Sequence, residues 1–209
     1  YSQDLSWVLT SGSDIEIRTY SYPADEGRSP SHYTANPSNS KLSRIWKALY
    51  QCISRANIAL SGIENSEIYK NPDHTYHDLF LEYRAEAITL RAMCYMELTR
   101  NWGNVPLRLT PAQSDLSDAY LPKSDRMDIY AELIPGRIEC SGDLPWKRTT
   151  PGRVTQGFAR GRAARLALYR AGHDYVAAGN WVAPRADAKD WHKIAMDQCN
   201  IVMTDGGYQ

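Results

Sequence analysis

The residues best suited to chemistry fall in one short stretch, "DHTYHD", which holds Asp73, His74, His77 and Asp78. Two imidazoles three residues apart beside carboxylates could share a divalent cation. The same residues also suit the start of a helix, with Asp73 or Asp78 capping free N–H groups and the histidines solvated in the preceding loop. A second acidic run, "SDLSDAYLPKSD", carries Asp115, Asp118 and Asp125. It lacks the ordered glycine and terminal glutamate of a calcium loop. It reads as a connector in which Ser124 or Asp125 caps the next helix. No G-x-S-x-G, P-loop, H-E-x-x-H or G-x-G-x-x-G occurs, and no segment gathers a nucleophile and base or a metal-ligand set. The sequence therefore predicts a non-enzyme with no catalytic residue, no metal and no cofactor.

Aromatic residues are the remaining candidates for binding. The chain has fourteen Tyr and six Trp against two Phe. Tyr and Trp combine a flat apolar face with a polar handle, which suits half-wet surfaces. Tyr20, Tyr22, Tyr33 and Tyr120 lie in stretches of loop composition. There they could stack on a sugar ring or a peptide side chain, or fold back onto the helices beneath.

The elements that must position these residues follow from periodicity. Residues 1–40 are rich in Pro, Gly, Ser and Asn, a loop composition. From Ser43, apolar residues at Ile45, Leu49, Cys52, Ile53, Ala56 and Leu60 recur at three- and four-residue steps. This predicts an amphipathic helix ending near Gly62. The next helix spans about Asp78 to Arg100. Leu81, Ala85, Ile88, Ala92 and Tyr95 trace one face, and Tyr83, Ala87, Leu90, Cys94 and Leu98 another. Only a strip around Arg84, Arg91 and Glu97 is left for water. Alanines on both faces predict a helix sandwiched between neighbours. Gly103 suits a left-handed position after the helix, and Pro106 blocks its continuation.

Further helices are predicted over Arg126–Cys140, broken at Pro135, over Thr155–Ala171, and over about Ala186–Met203. No stretch reads as several paired strands. Aligning Tyr95 with Tyr169 places Arg91 on Arg165 and Ala85 on Ala159, a weak repeat of helical hairpins. The fold class is mostly α, built of stacked tetratricopeptide-like hairpins with long loops.

Bulk properties bound the function. The 209 residues can bury one sizeable core. Lys plus Arg equals Asp plus Glu, which argues against nucleic-acid partners and against electrostatic membrane binding. No apolar run approaches the length of a membrane span. Cys52, Cys94, Cys140 and Cys199 are widely spaced with no CxxC pair. They are predicted as free thiols, with Cys52, Cys94 and Cys199 inside apolar helical patterns. The chain opens without Met and reads as the interior of a longer polypeptide.

The block "EAITLRAMCYMELTRNWGNVPL" resembles a segment of the SusD/RagB family, outer-membrane nutrient-binding lipoproteins of Bacteroidetes-type bacteria. The likeness rests on Glu86, Ala87, Leu90, Arg91, Ala92, Tyr95, Leu98, Arg100, Trp102, Gly103, Val105, Pro106 and Leu107. Four more blocks agree in order. They are "SDIEIRT" (Ser13, Asp14), "WKALYQCISRANIAL" (Trp46, Tyr50, Ile53, Ala56, Asn57), "PGRVTQGFARGRAARLALYRAG" (Gly152, Arg153, Thr155, Ala164, Arg165, Tyr169) and the final helix with "GGYQ". Ile15 stands where the family has an acid, and Pro135 where it has an uninterrupted helix.

The resemblance implies a tetratricopeptide-like fold and a non-catalytic role. The family captures glycans or peptides at the cell surface, held by an N-terminal lipid anchor, and passes them to a TonB-dependent SusC-like transporter. It also implies that residues 1–209 form the N-terminal portion of a single SusD-like domain, with 1–40 an irregular loop segment and 41–209 the helical-hairpin scaffold. Ligand contacts in the family come from variable loops, which makes Tyr20, Tyr22 and Tyr33 the candidate ligand-binding residues. The competing reading is a tetratricopeptide-like adaptor that binds a protein or peptide partner without transport.

Overall fold

The computed structural model describes residue 36 and residues 38–115, 117–176 and 181–207. The chain divides at Cys52 into two compact units, Tyr1–Cys52 and Ile53–Gln209. Six α-helices appear among the described residues: α1 Ser40–Asn65, α2 Glu67–Lys70, α3 His77–Trp102, α4 Arg126–Cys140, α5 Gln156–Ala171 and α6 Ala188–Asp205. A 3-10 turn, Ser141–Asp143, follows α4. The mostly helical class read from the sequence is the observed one.

In the first unit the described residues are the start of α1. The Asn39 carboxamide oxygen accepts from the N–H groups of Lys41 and Leu42 at 3.0 Å each, a side-chain N-cap. Ile45 is buried, and the Trp46 and Tyr50 rings stack one turn apart at 4.9 Å.

In the second unit α3 packs on α4, α4 on α5, and α5 on α6. Each inner helix thus has a neighbour on two sides, as stacked hairpins require. Ala85, Ala92, Ala159 and Ala163 are fully buried, so small side chains let the backbones approach. A cluster of Leu60, Ala85, Ile88, Cys140, Leu144 and Val154 fills the space between. The loop before α5 is clamped onto α3 by arginines. Arg148 donates to Glu82, to Glu86 at 3.0 Å and to the Val154 carbonyl at 3.0 Å, while Arg153 donates to Glu86 at 2.7 Å.

Helix ends follow local chemistry. The Asp125 carboxylate accepts from Met127 N–H at 2.8 Å and Thr155 Oγ1 from Phe158 N–H at 3.2 Å, capping α4 and α5. Gly103, at φ 70°, terminates α3, as the left-handed preference of glycine predicts. Two short antiparallel pairs then appear that alternation did not reveal. β1 (Val105–Pro106) pairs with β2 (Lys123–Ser124), and β3 (His173–Val176) with β4 (Trp181–Pro184). Runs of two and four residues are too short for a period-two signal.

Other expectations are corrected. α1 does not end near Gly62 but runs through it to Asn65; a single exposed glycine costs a helix only about 1 kcal/mol. Pro135 does not break α4, which is continuous across it. The ring sits on an exposed face, and its missing N–H leaves the Ala131 carbonyl without its usual helical donor. Neither Asp73 nor Asp78 caps α3 through its side chain: Tyr76 occupies that position, and Asp78 lies in the first turn.

None of the four cysteines is in a disulfide, with Cys94 and Cys140 buried and Cys52 half-buried. Cys199 is exposed rather than buried, because the inward stripe of α6 runs through Ala188, Ala195 and Gln198. Burial pushes the Cys140 thiol up to about 11, so it is an unreactive thiol near neutral pH.

Candidate functional site

Three of the sequence-predicted ligand residues, Tyr20, Tyr22 and Tyr33, lie outside the described residues. Tyr120 is described and is 99% exposed, so it does not fold back onto a helix. The histidine stretch is built into the turn before α3: His74 Nδ1 accepts from Tyr76 N–H at 3.1 Å, and His77 Nδ1 lies 3.2 Å from the Ile68 carbonyl. Among the described residues no three His, Cys, Asp or Glu side chains come together as a metal site.

The most developed site lies elsewhere in the second unit. A cavity of about 640 Å³ opens among the end of α1, the middle of α3, the 109–111 segment and α4. Its walls come from two helical stripes. On α1 the stripe is Asn57, Ser61 and Glu64, at steps of four and three; on α3 it is Arg84, Ile88 and Arg91, also at steps of four and three. Such spacing puts each set on one helix face. The two stripes run in opposite directions and meet rung by rung. Arg91 Nη1 donates to Asn57 Oδ1 at 2.8 Å, and Arg84 Nε donates to Glu64 Oε1 at 3.0 Å. The facing wall is Ala131, Glu132, Leu133, Pro135 and Gly136 of α4.

The inner rung fixes the chain as it returns from the Gly103 corner. Asn57 Nδ2 donates to the carbonyls of Arg108 and Thr110 at 3.1 Å each, and Arg91 Nη1 also donates to the Leu109 carbonyl at 3.0 Å. The fully buried Tyr95 hydroxyl accepts from Arg108 N–H at 2.7 Å and donates to its carbonyl at 3.0 Å. Three side chains therefore satisfy a non-helical, non-strand backbone that would otherwise need water. Beyond it, the Arg108 guanidinium grips Asp118, whose Oδ1 also accepts from Gln113 N–H at 3.1 Å.

Electrostatics differ along the seam. Burial holds the Arg91 guanidinium below its ordinary pKa, and its Nε is buried without an acceptor. Burial is the strongest single pull on Arg84 and lowers it, but the hydrogen bond to Glu64 and the neighbouring Tyr69, Glu64 and Cys140 together outweigh it and raise the guanidinium. Burial raises the Tyr95 hydroxyl.

The polar strip of α3 thus departs from its expected role. Arg84 and Arg91 do not simply face water but form a cavity wall, and Glu97 is only 3% exposed, paired with Arg100 at 3.0 Å. Exposure falls instead on Leu79, Tyr83 and Leu90. Sequence reading passed over Ser61, Glu64 and Glu132 altogether. A polar stripe at helical period on α1, matched by another on α3, was the signal available. It was hidden because a lone polar stripe looks the same whether it meets solvent or another stripe.

Comparison with known proteins agrees with this architecture. The family model for SusD-like proteins, described as starch-binding and associating with the outer membrane, matches residues 18–133. The SusD-like protein P38 of Formosa agariphila is 35% identical over 104 residues, 49% of this chain and 18% of that protein. The matched part is thus about a fifth of that relative's length. A SusD superfamily protein from Parabacteroides distasonis superposes with a TM-score of 0.70 at 25% identity, over 88% of this chain and 36% of that one. A laminarin-binding SusD-like protein does so with a TM-score of 0.59 at 25% identity, over 69% and 30%. The chain belongs to the SusD-like family.

Proposed function

We propose that this chain is part of a non-catalytic receptor that captures glycan or peptide nutrients at the outer membrane and passes them to a TonB-dependent SusC-like transporter. The observation that carries the reading is the family match across residues 18–133. A relative of the same fold, named for laminarin binding, supports a glycan rather than a peptide as cargo. In this reading the protein is lipid-anchored on the extracellular face. Residues 41–209 serve as the helical scaffold of a single domain, and Tyr20, Tyr22 and Tyr33 contribute ligand contacts through stacking.

Affinity electrophoresis against a panel of polysaccharides tests the reading. Retardation by at least one glycan without its degradation is expected, and Tyr→Ala changes at positions 20, 22 and 33 should reduce it. Release of reducing ends would overturn the non-catalytic role. Unchanged retardation in the triple variant would remove the three tyrosines from the site. Co-purification with a SusC-like transporter from the source membrane tests the delivery step.

A further inference from the structure

We propose that the cavity between α1, α3 and α4 is a saccharide subsite that takes a neutral, polyhydroxylated segment by hydrogen bonding rather than by aromatic stacking. The proposal rests on glycan capture and deepens it. Its volume of about 640 Å³ falls within the range of small-molecule sites. Arg84 and Arg91 are seven residues apart, which is about 10 Å along the helix, room for more than one sugar ring.

The chemistry of the walls selects the ligand class. Arg84 and Arg91 are balanced by Glu64 and Glu132, so the lining contributed by the described residues carries no net charge to reward a polyanion. Guanidinium, carboxamide and carboxylate groups are planar and present paired donors or acceptors, the geometry needed to bridge adjacent hydroxyls. Groups remain for this purpose after the internal bonds are counted. The Glu132 carboxylate is on an exposed position of the wall, and Pro135 leaves the Ala131 carbonyl in the α4 wall without its helical donor. Leu60, Ile88 and Leu133 supply apolar patches for the C–H faces of a ring. Among the described residues no aromatic side chain lines the cavity, which distinguishes this mode from stacking on loop tyrosines.

The test titrates the oligosaccharide of whichever glycan retards the intact protein most strongly. Ser61→Phe fills the cavity, and Glu132→Ala removes an acceptor from an exposed position that the fold does not need. Each should weaken binding about tenfold or more while thermal midpoints stay near that of the parent. If both variants fold and bind as tightly as the parent, the cavity assignment is wrong while glycan capture stands. If the intact protein binds no glycan in the panel, capture itself fails and the subsite with it. Tighter binding of a uronate-containing oligosaccharide than of its neutral counterpart, lost in Ser61→Phe, would overturn the neutral chemistry.

Discussion

Two arginines of the second unit, one half-buried and one fully buried, meet opposite surroundings. Arg91, on α3, donates one nitrogen to both a carboxamide and a backbone carbonyl. Arg137, on α4, is 0% exposed, and none of its three guanidinium nitrogens has a hydrogen-bond partner. Burial pushes its pKa down to about 9, and the like charge of Arg162 adds to that. The contrast shows what makes an interior cation tolerable. Arg91 organises a loop that has no ladder of its own, so its desolvation is offset by backbone groups that need a donor. Arg137 organises nothing among the described residues, and the fold carries it as a cost.

The sharpest way to break the comparison is to remove the useful cation. Arg91→Met strands Asn57 Oδ1 and the Leu109 carbonyl, and at about 1–3 kcal/mol for each stranded acceptor should destabilise the protein by about 2–6 kcal/mol, a loss measured in chemical denaturation. A shift below about 1 kcal/mol would mean that Arg91 is as idle as Arg137.

The converse change should stabilise. Arg137→Met replaces an unpaired interior charge with an apolar chain of similar length, and a gain of about 1–4 kcal/mol in unfolding free energy is expected. The gain must also depend on pH. Because the folded pKa is lowered to about 9, the folded state sheds this proton before the unfolded state does. The cost of Arg137 is complete below about pH 9 and fades as pH rises above it. Denaturation midpoints at about pH 7 and about pH 10 should therefore show the variant's advantage shrinking. An advantage that is absent at neutral pH, or that grows with pH, contradicts the assignment.

A smaller effect tests the backing of the Arg91 seam. Ala92 is fully buried beside it, and Ala92→Leu should overpack α3 at a cost of about 1–3 kcal/mol, seen as a lower thermal midpoint. The least is expected at the surface. Arg153 is bidentate to Glu86 with a 37% exposed side chain, and Arg153→Gln should cost under about 1 kcal/mol. A larger loss would show the clamp on the loop before α5 to be more than a surface pair.

Much of this fold was legible beforehand. The periodicity of Ala85, Ile88, Ala92 and Tyr95 described a helix buried on its inner faces, and Gly103 with Pro106 marked its end, as found. The candidate site was harder to read. Asn57 appeared only as part of a family block, and Arg84, Arg91 and Glu97 as a strip for water. Single-helix patterns report which residues share a face, but not what that face meets. Glu97 illustrates the limit, since its burial depends on neighbouring helices and on Arg100 one turn away. Pro135 failed for a related reason: local propensity argues for a break, yet packing of Ile129, Leu133 and Ile134 keeps α4 whole.

The two-residue β1–β2 clip has a further consequence. It pins Val105 against Ser124, and the Asn57–Arg91–Tyr95 group holds the backbone only as far as Thr110. Between Thr110 and the second strand the chain is tied to this frame at Asp118, through Arg108. Lengthening a flexible loop between fixed ends is thermodynamically cheap, about 0.6 kcal/mol for each doubling. Residues added between Asp118 and Lys123 should accordingly lengthen this segment without remaking the helices beneath.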